Sequence, residues 1–140
     1  MSLLEKAISL ALRAHRGQVD RCGQPYILHP LHLMLQMDTD AERMAAVLHD
    51  VVEDTDVTLA DLEEEGFPQE VLQAVRLLTH DRPDNPYEAY VRALKENPIA
   101  RKVKLADLQH NMDLRRLDRV EQKDMERLQR YRQAWETLSE

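Results

Sequence analysis

The chain has 140 residues, 43% of them hydrophobic and 32% charged, with a formal net charge of −7. That length suits one domain spanning 1–140, and the composition is that of a soluble globular protein rather than a disordered or membrane-embedded one. The acidic balance, with aromatics limited to Phe67, Trp135 and four tyrosines, argues against nucleic-acid binding, which needs a basic footprint and stacking platforms.

Apolar residues recur at helical rather than alternating spacing throughout, so an all-α fold is expected. Leu3, Leu4, Ala7, Ile8, Ala11 and Leu12 form a first helical stripe ending near Gly17. Residues 17–30, marked by Gly23, Pro25 and Pro30, read as an irregular loop, followed by a short apolar helix over 31–37. The Asp38-Thr39-Asp40 run offers capping acceptors for a third helix over 41–54. Thr58 with Asp61 three residues on resembles a capping box, opening a short helix that Gly66 closes. Pro68, Pro86 and Pro98 suit helix starts, and a last helix is expected over 120–138. A single cysteine, Cys22, cannot form an internal disulfide, and no apolar run reaches membrane-spanning length. With no basic region followed by an apolar stretch in Met-Ser-Leu-Leu-Glu-Lys, the expected location is the cytoplasm, without membrane contact.

The third helix carries the first chemical signal. On a helical wheel with His49 at zero, Glu53 falls at about 40°, Asp50 at about 100° and Asp54 at about 140°, opposite an apolar face of Met44, Val47, Leu48, Val51 and Val52. Asp50, Glu53, Asp54 and Asp56 crowd negative charge near a helix C-terminus, where the helix dipole disfavours it. An acidic solvated face would tolerate this. A divalent cation resolves it better, since imidazole with carboxylate suits Mn, Fe or Zn. His80-Asp81 repeats the dipeptide, but the flanking Pro83 and Pro86 make it a loop.

Lys104, Asp107 and Asn111 share one face of the helix opened by Pro98, in a stretch so apolar that Asp107 is expected to be buried and paired. His29 stands beside the fixed backbone of Pro30 and, taken alone, reads as a capping or core histidine more than as a ligand. His15, His32 and His110 are read as packing or hydrogen-bonding residues.

Three segments together resemble a known family: His15-Arg-Gly-Gln-Val-Asp-Arg-Cys-Gly-Gln-Pro-Tyr-Ile-Leu-His29-Pro, Leu48-His-Asp-Val-Val-Glu-Asp-Thr55 and Val103-Lys-Leu-Ala-Asp-Leu-Gln-His-Asn111-Met. The chain is similar to the HD-domain hydrolases of the RelA/SpoT type, and most to the stand-alone small alarmone hydrolases, over residues 4–117. The resemblance implies a single-domain HD-superfamily helical bundle. It implies metal ligands His29, His49, Asp50 and Asp107 for Mn2+, although other divalent transition metals suit the same donors. It implies Glu53 and Asp54 as the catalytic acidic pair and Asn111 as a nucleotide contact. Arg21 and Lys104 are the cations best placed in sequence to offset substrate charge, with Arg101, Lys102, Arg115 and Arg116 read mostly as a solvated face.

The implied reaction is hydrolysis of the 3′-pyrophosphate of guanosine tetra- or pentaphosphate (ppGpp, pppGpp), a small-molecule nucleotide substrate, to GDP or GTP and pyrophosphate. Three departures touch base recognition rather than this hydrolytic set. Asp20 stands where the family has an arginine, Leu108-Gln109 where it often has Arg-Leu, and Leu114 where it often has threonine. Alternatives are the same site acting on (p)ppApp or NADPH, and a non-catalytic helical regulatory module. The cyclic-dinucleotide phosphodiesterase branch fits less well, because Val51-Val52-Glu53-Asp54 replaces its Gly-Lys pattern.

Overall fold

A computed structural model describes residues 1–140 as nine α-helices without β-strands. They are α1 (Leu3–Ala14), α2 (Leu28–Leu35), α3 (Asp40–Leu48), α4 (Val51–Asp54), α5 (Leu59–Glu64), α6 (Gln69–Leu78), α7 (Tyr87–Leu94), α8 (Pro98–Asn111) and α9 (Gln122–Ser139). A 3-10 turn at Leu114–Arg116 joins the last two, and an isolated bridge between Val19 and Pro25 pinches the loop before α2. The expected all-α helical bundle is the observed fold.

Local chemistry explains most helix boundaries. Ser2 with Glu5, Thr39 with Glu42 and Thr58 with Asp61 all close reciprocal capping boxes. Gly66, at φ +90°, supplies the left-handed residue that ends α5, and Asn97 caps α8 ahead of Pro98. Pro68 and Pro86 sit one position earlier than a first helical turn, as the N-caps of α6 and α7. The second helix also differs from the sequence reading: it starts at Leu28, so His29 and Pro30 lie inside its first turn. Proline is tolerated there because a first-turn N–H has no helical partner.

The larger revision concerns α3. Read as one helix over 41–54 with an apolar and a polar face, this segment instead breaks at His49–Asp50. Met44 to Leu48 are all buried, because α3 is the central helix, touching α1, α2, α6 and α8. Ala45 and Ala46 join a cluster with Leu33, Leu78, Leu94 and Leu108, while Met44, Val47 and Leu48 join one with Leu10, Leu62, Val71 and Val75. Leu48→Ala should cost about 2–5 kcal/mol of stability, read as a lower denaturant midpoint with unchanged slope. No helix is long and apolar enough to cross a membrane.

Candidate active site

The break after α3 is where the polar groups gather. The His49 Nδ1–H donates to the Ala46 carbonyl at 2.7 Å, using a backbone acceptor that an unbroken helix would need. The ring is thereby fixed with Nε2 facing 3.0 Å from Asp50 Oδ2 and 3.5 Å from Asp107 Oδ1. From α2, His29 Nε2 lies 2.7 Å from the same Asp107 oxygen. Tyr26, three residues before His29, donates its hydroxyl to Asp50 Oδ2. Thus α2, the α3–α4 junction and α8 each bring one part of a buried histidine–aspartate cluster.

Donor atoms of His29, His49 and Asp50 all lie within 4.8 Å of one another, as do the carboxylates of Asp50, Glu53 and Asp54. His49 Nε2 is buried yet has no hydrogen bond of acceptable geometry, although two carboxylates face it. Burial alone would lower the proton affinity of His49, but Asp50 and Asp107 outweigh it and raise the pKa well above the ordinary histidine value. The pocket therefore calls for positive charge at this nitrogen. That donor set, two imidazoles and two carboxylates around an unpartnered nitrogen, fits a divalent transition metal.

Around this cluster the partners are specific. Lys104, largely buried, donates to Asp107 Oδ2 at 3.0 Å, and the Asn111 amide donates to Asp107 Oδ1 at 3.1 Å. Burial would raise the Asp107 pKa, but Lys104 and the two histidines hold it well below the ordinary carboxylate range. His110 lies with its Nδ1 2.7 Å from Nδ1 of His29, and its own ring stacks on His32. Partial burial and the nearby Arg116 push His110 down to about 4, so it stays neutral and can give or take the shared proton. Asp107 is paired as the sequence reading expects, and the hydrogen-bonding role read for His110 is made with His29 itself.

The cluster forms one wall of a cavity of about 700 Å³. Of the nine residues singled out from sequence, Arg21, His29, Asp50, Glu53, Asp54, Lys104, Asp107 and Asn111 line it, while His49 lies behind Asp50 and Asp107. Glu53 and Asp54 stand on the open side. Desolvation by the surrounding walls raises both pKa values, with Asp50 adding to the effect, while an N–H from His80 and the charge of Lys104 partly oppose it at Glu53.

Sequence reasoning missed Tyr26, His80, Tyr87, Arg116, Arg130 and Tyr131, which also line the cavity. The spacing Tyr26-x-x-His29 was a usable signal for the first. Arg130 and Tyr131 sit on α9 among many polar residues, with nothing local to mark them. Arg116, read as part of a solvated face, instead turns into the cavity wall. Its guanidinium donates to the His110 carbonyl at 3.0 Å and lies 3.7 Å from Asp20. Asp20 also receives the Cys22 and Gln24 N–H groups, so this departure from the family pattern is a built turn paired with its own cation. Leu114, by contrast, is an exposed residue outside the lining.

No family model matches the chain. Among curated proteins, the bifunctional (p)ppGpp synthase/hydrolase SpoT of Escherichia coli (strain K12) is 35% identical over 123 residues, covering 78% of this chain and 17% of that protein. The guanosine-3′,5′-bis(diphosphate) 3′-pyrophosphohydrolase of Vibrio cholerae gives the same identity and coverage. The GTP pyrophosphokinase of Streptomyces coelicolor is 36% identical over 142 aligned positions, 91% of this chain and 17% of its own length. The chain thus spans about a sixth of the length of these relatives. A solved structure of a metazoan ortholog of SpoT, described as hydrolysing ppGpp and playing a role in starvation responses, superposes with a TM-score of 0.75. It is 26% identical, and the match covers 99% of this chain and 86% of that one.

Proposed function

The chain belongs to the HD-domain (p)ppGpp hydrolases of the RelA/SpoT type, and from that membership we propose that it is a metal-dependent 3′-pyrophosphohydrolase of guanosine tetra- and pentaphosphate. The observation that carries the proposal is the His29–His49–Asp50–Asp107 cluster, buried except at half-buried Asp50, opening onto a cavity that also holds Glu53, Asp54 and several cations. His29, His49, Asp50 and Asp107 would hold the ion, with Mn2+ proposed. When bound, the ion supplies Lewis acidity, drawing charge from a phosphate oxygen and acidifying water.

The chain's own residues do the rest. Lys104, Arg21 and Arg116 offset the charge of a highly anionic substrate in a cavity otherwise rich in carboxylates. Asn111, fixed to Asp107 through its amide nitrogen, turns its carbonyl oxygen toward Arg116 and contacts the nucleotide. Glu53 takes the proton of the attacking water as the water oxygen bonds to the phosphorus attached to the 3′-oxygen. That P–O bond breaks, the proton passes to the freed 3′-oxygen, and pyrophosphate leaves. Asp54, whose pKa is also raised, accompanies Glu53 in orienting the water and relaying the proton.

Parallel assays of ppGpp, ppApp and NADPH with Mn2+, read by ion-exchange separation of products, test the substrate. GDP and pyrophosphate from ppGpp, at the highest kcat/KM of the three, is the expected result. Faster turnover of ppApp or NADPH would transfer the assignment to that substrate. No turnover of any of them by metal-loaded protein would leave the non-catalytic module.

A further inference from the structure

The loop after α6 contains a histidine that the hydrolytic scheme above does not use. The backbone N–H of His80 donates to Glu53 Oε1 at 2.7 Å, and this is the one hydrogen bond the Glu53 carboxylate makes in the fold. The His80 ring is itself held from two sides. Its Nε2–H donates to the Asn85 carbonyl at 2.7 Å, closing the loop on itself. Its face stacks on Tyr90 at 4.6 Å and 18°. Tyr90 is buried and donates its hydroxyl to the Leu78 carbonyl at 2.6 Å, at the end of α6. The chain of contacts therefore runs from the protein core, through an aromatic ring and an imidazole, to one oxygen of Glu53.

We propose that His80 is a positioning residue for Glu53: its side chain anchors the loop so that its own N–H pins Oε1, leaving Oε2 free toward the cavity. The proposal rests on the proton-accepting role given to Glu53 above. A glutamate on a four-residue helix has three side-chain torsions and no other hydrogen bond here to select among them. Asp50 and Asp54 share its carboxylate neighbourhood and repel it, so nothing acidic could do this work. A backbone N–H is a donor that never loses its proton in the working range, and it divides the carboxylate into an anchored oxygen and a reactive one.

The test compares His80→Ala with His80→Gln, which keeps an N–H donor within reach of Asn85. His80→Ala should lower kcat about tenfold with KM changed less than about twofold, and His80→Gln should restore most of the loss. In parallel, NMR of the residue 80 amide should show a downfield, slowly exchanging proton in the wild type and the Gln variant, shifted upfield and exchanging faster in the Ala variant. Unchanged kcat in folded His80→Ala, a loss confined to KM, or failure of His80→Gln to rescue would overturn the proposal. If His80→Ala does not fold, His80→Phe, which keeps the stack on Tyr90 and drops the donor, carries the same comparison. Wild-type protein inactive on every nucleotide, with the amide signature intact, would remove the hydrolase reading while leaving the anchor itself standing.

Discussion

Glu53→Gln should reduce turnover of ppGpp about 10³-fold while leaving Mn2+ and nucleotide binding within about twofold of the wild type. The amide is isosteric and its carbonyl oxygen can still accept the His80 N–H, so the loop and the short α4 have no reason to move. What disappears is the capacity to take a proton. Glu53 is outside the four residues assigned to the ion and is raised above an ordinary glutamate by its surroundings, which brings its pKa closer to that needed of a base at neutral pH. Calorimetric titration with Mn2+ and then with ppGpp would separate binding from turnover. A variant within tenfold of wild-type kcat would move the proton-accepting role to Asp54.

The second large effect is expected at Asp107, where fold and site share one side chain. Asp107→Ala leaves Lys104 in a largely buried position with its charge no longer paired, a loss of about 3–5 kcal/mol. It also strips His29 Nε2 and the Asn111 amide of their acceptor, so metal binding and activity should vanish together. The double variant Lys104→Met/Asp107→Leu separates these consequences. Exchanging the pair for apolar side chains of similar volume should recover most of the stability, seen in the denaturation midpoint, and none of the metal binding. If Asp107→Ala kept wild-type stability and full Mn2+ affinity, Asp107 would be neither the partner of Lys104 nor a ligand.

The fold was legible because its helix boundaries are written in local chemistry. Thr39 in its Asp-Thr-Asp run, Thr58 with Asp61, and Pro98 at a helix start announce themselves without tertiary information. The break at His49–Asp50 was not legible, because a helical wheel presumes a continuous helix. The interruption instead depends on an imidazole returning to its own helix at Ala46 while core packing buries the last turn and a half of α3, Met44 to Leu48, on every side. The same limit applies to the site. Lys104, Asp107 and Asn111 were grouped correctly because they sit on one helix at i−3, i and i+4 spacing. Arg116 and His80 belong to segments outside the main helices, whose direction is set by individual contacts, with Asp20 and the His110 carbonyl for one and Tyr90 and Asn85 for the other. Periodicity contains no such information.

The central claim is that water, activated beside this histidine–aspartate cluster, attacks the 3′-diphosphate in a metal-dependent step. Hydrolysis of ppGpp in 18O-labelled water, with Mn2+ and with a chelator in its place, tests it most directly when the products are read by mass spectrometry. The account predicts label in pyrophosphate and none in GDP, with turnover abolished by the chelator and by Asp50→Ala. Label in the 3′-hydroxyl of GDP, release of orthophosphate in place of pyrophosphate, or full activity of Asp50→Ala would contradict it.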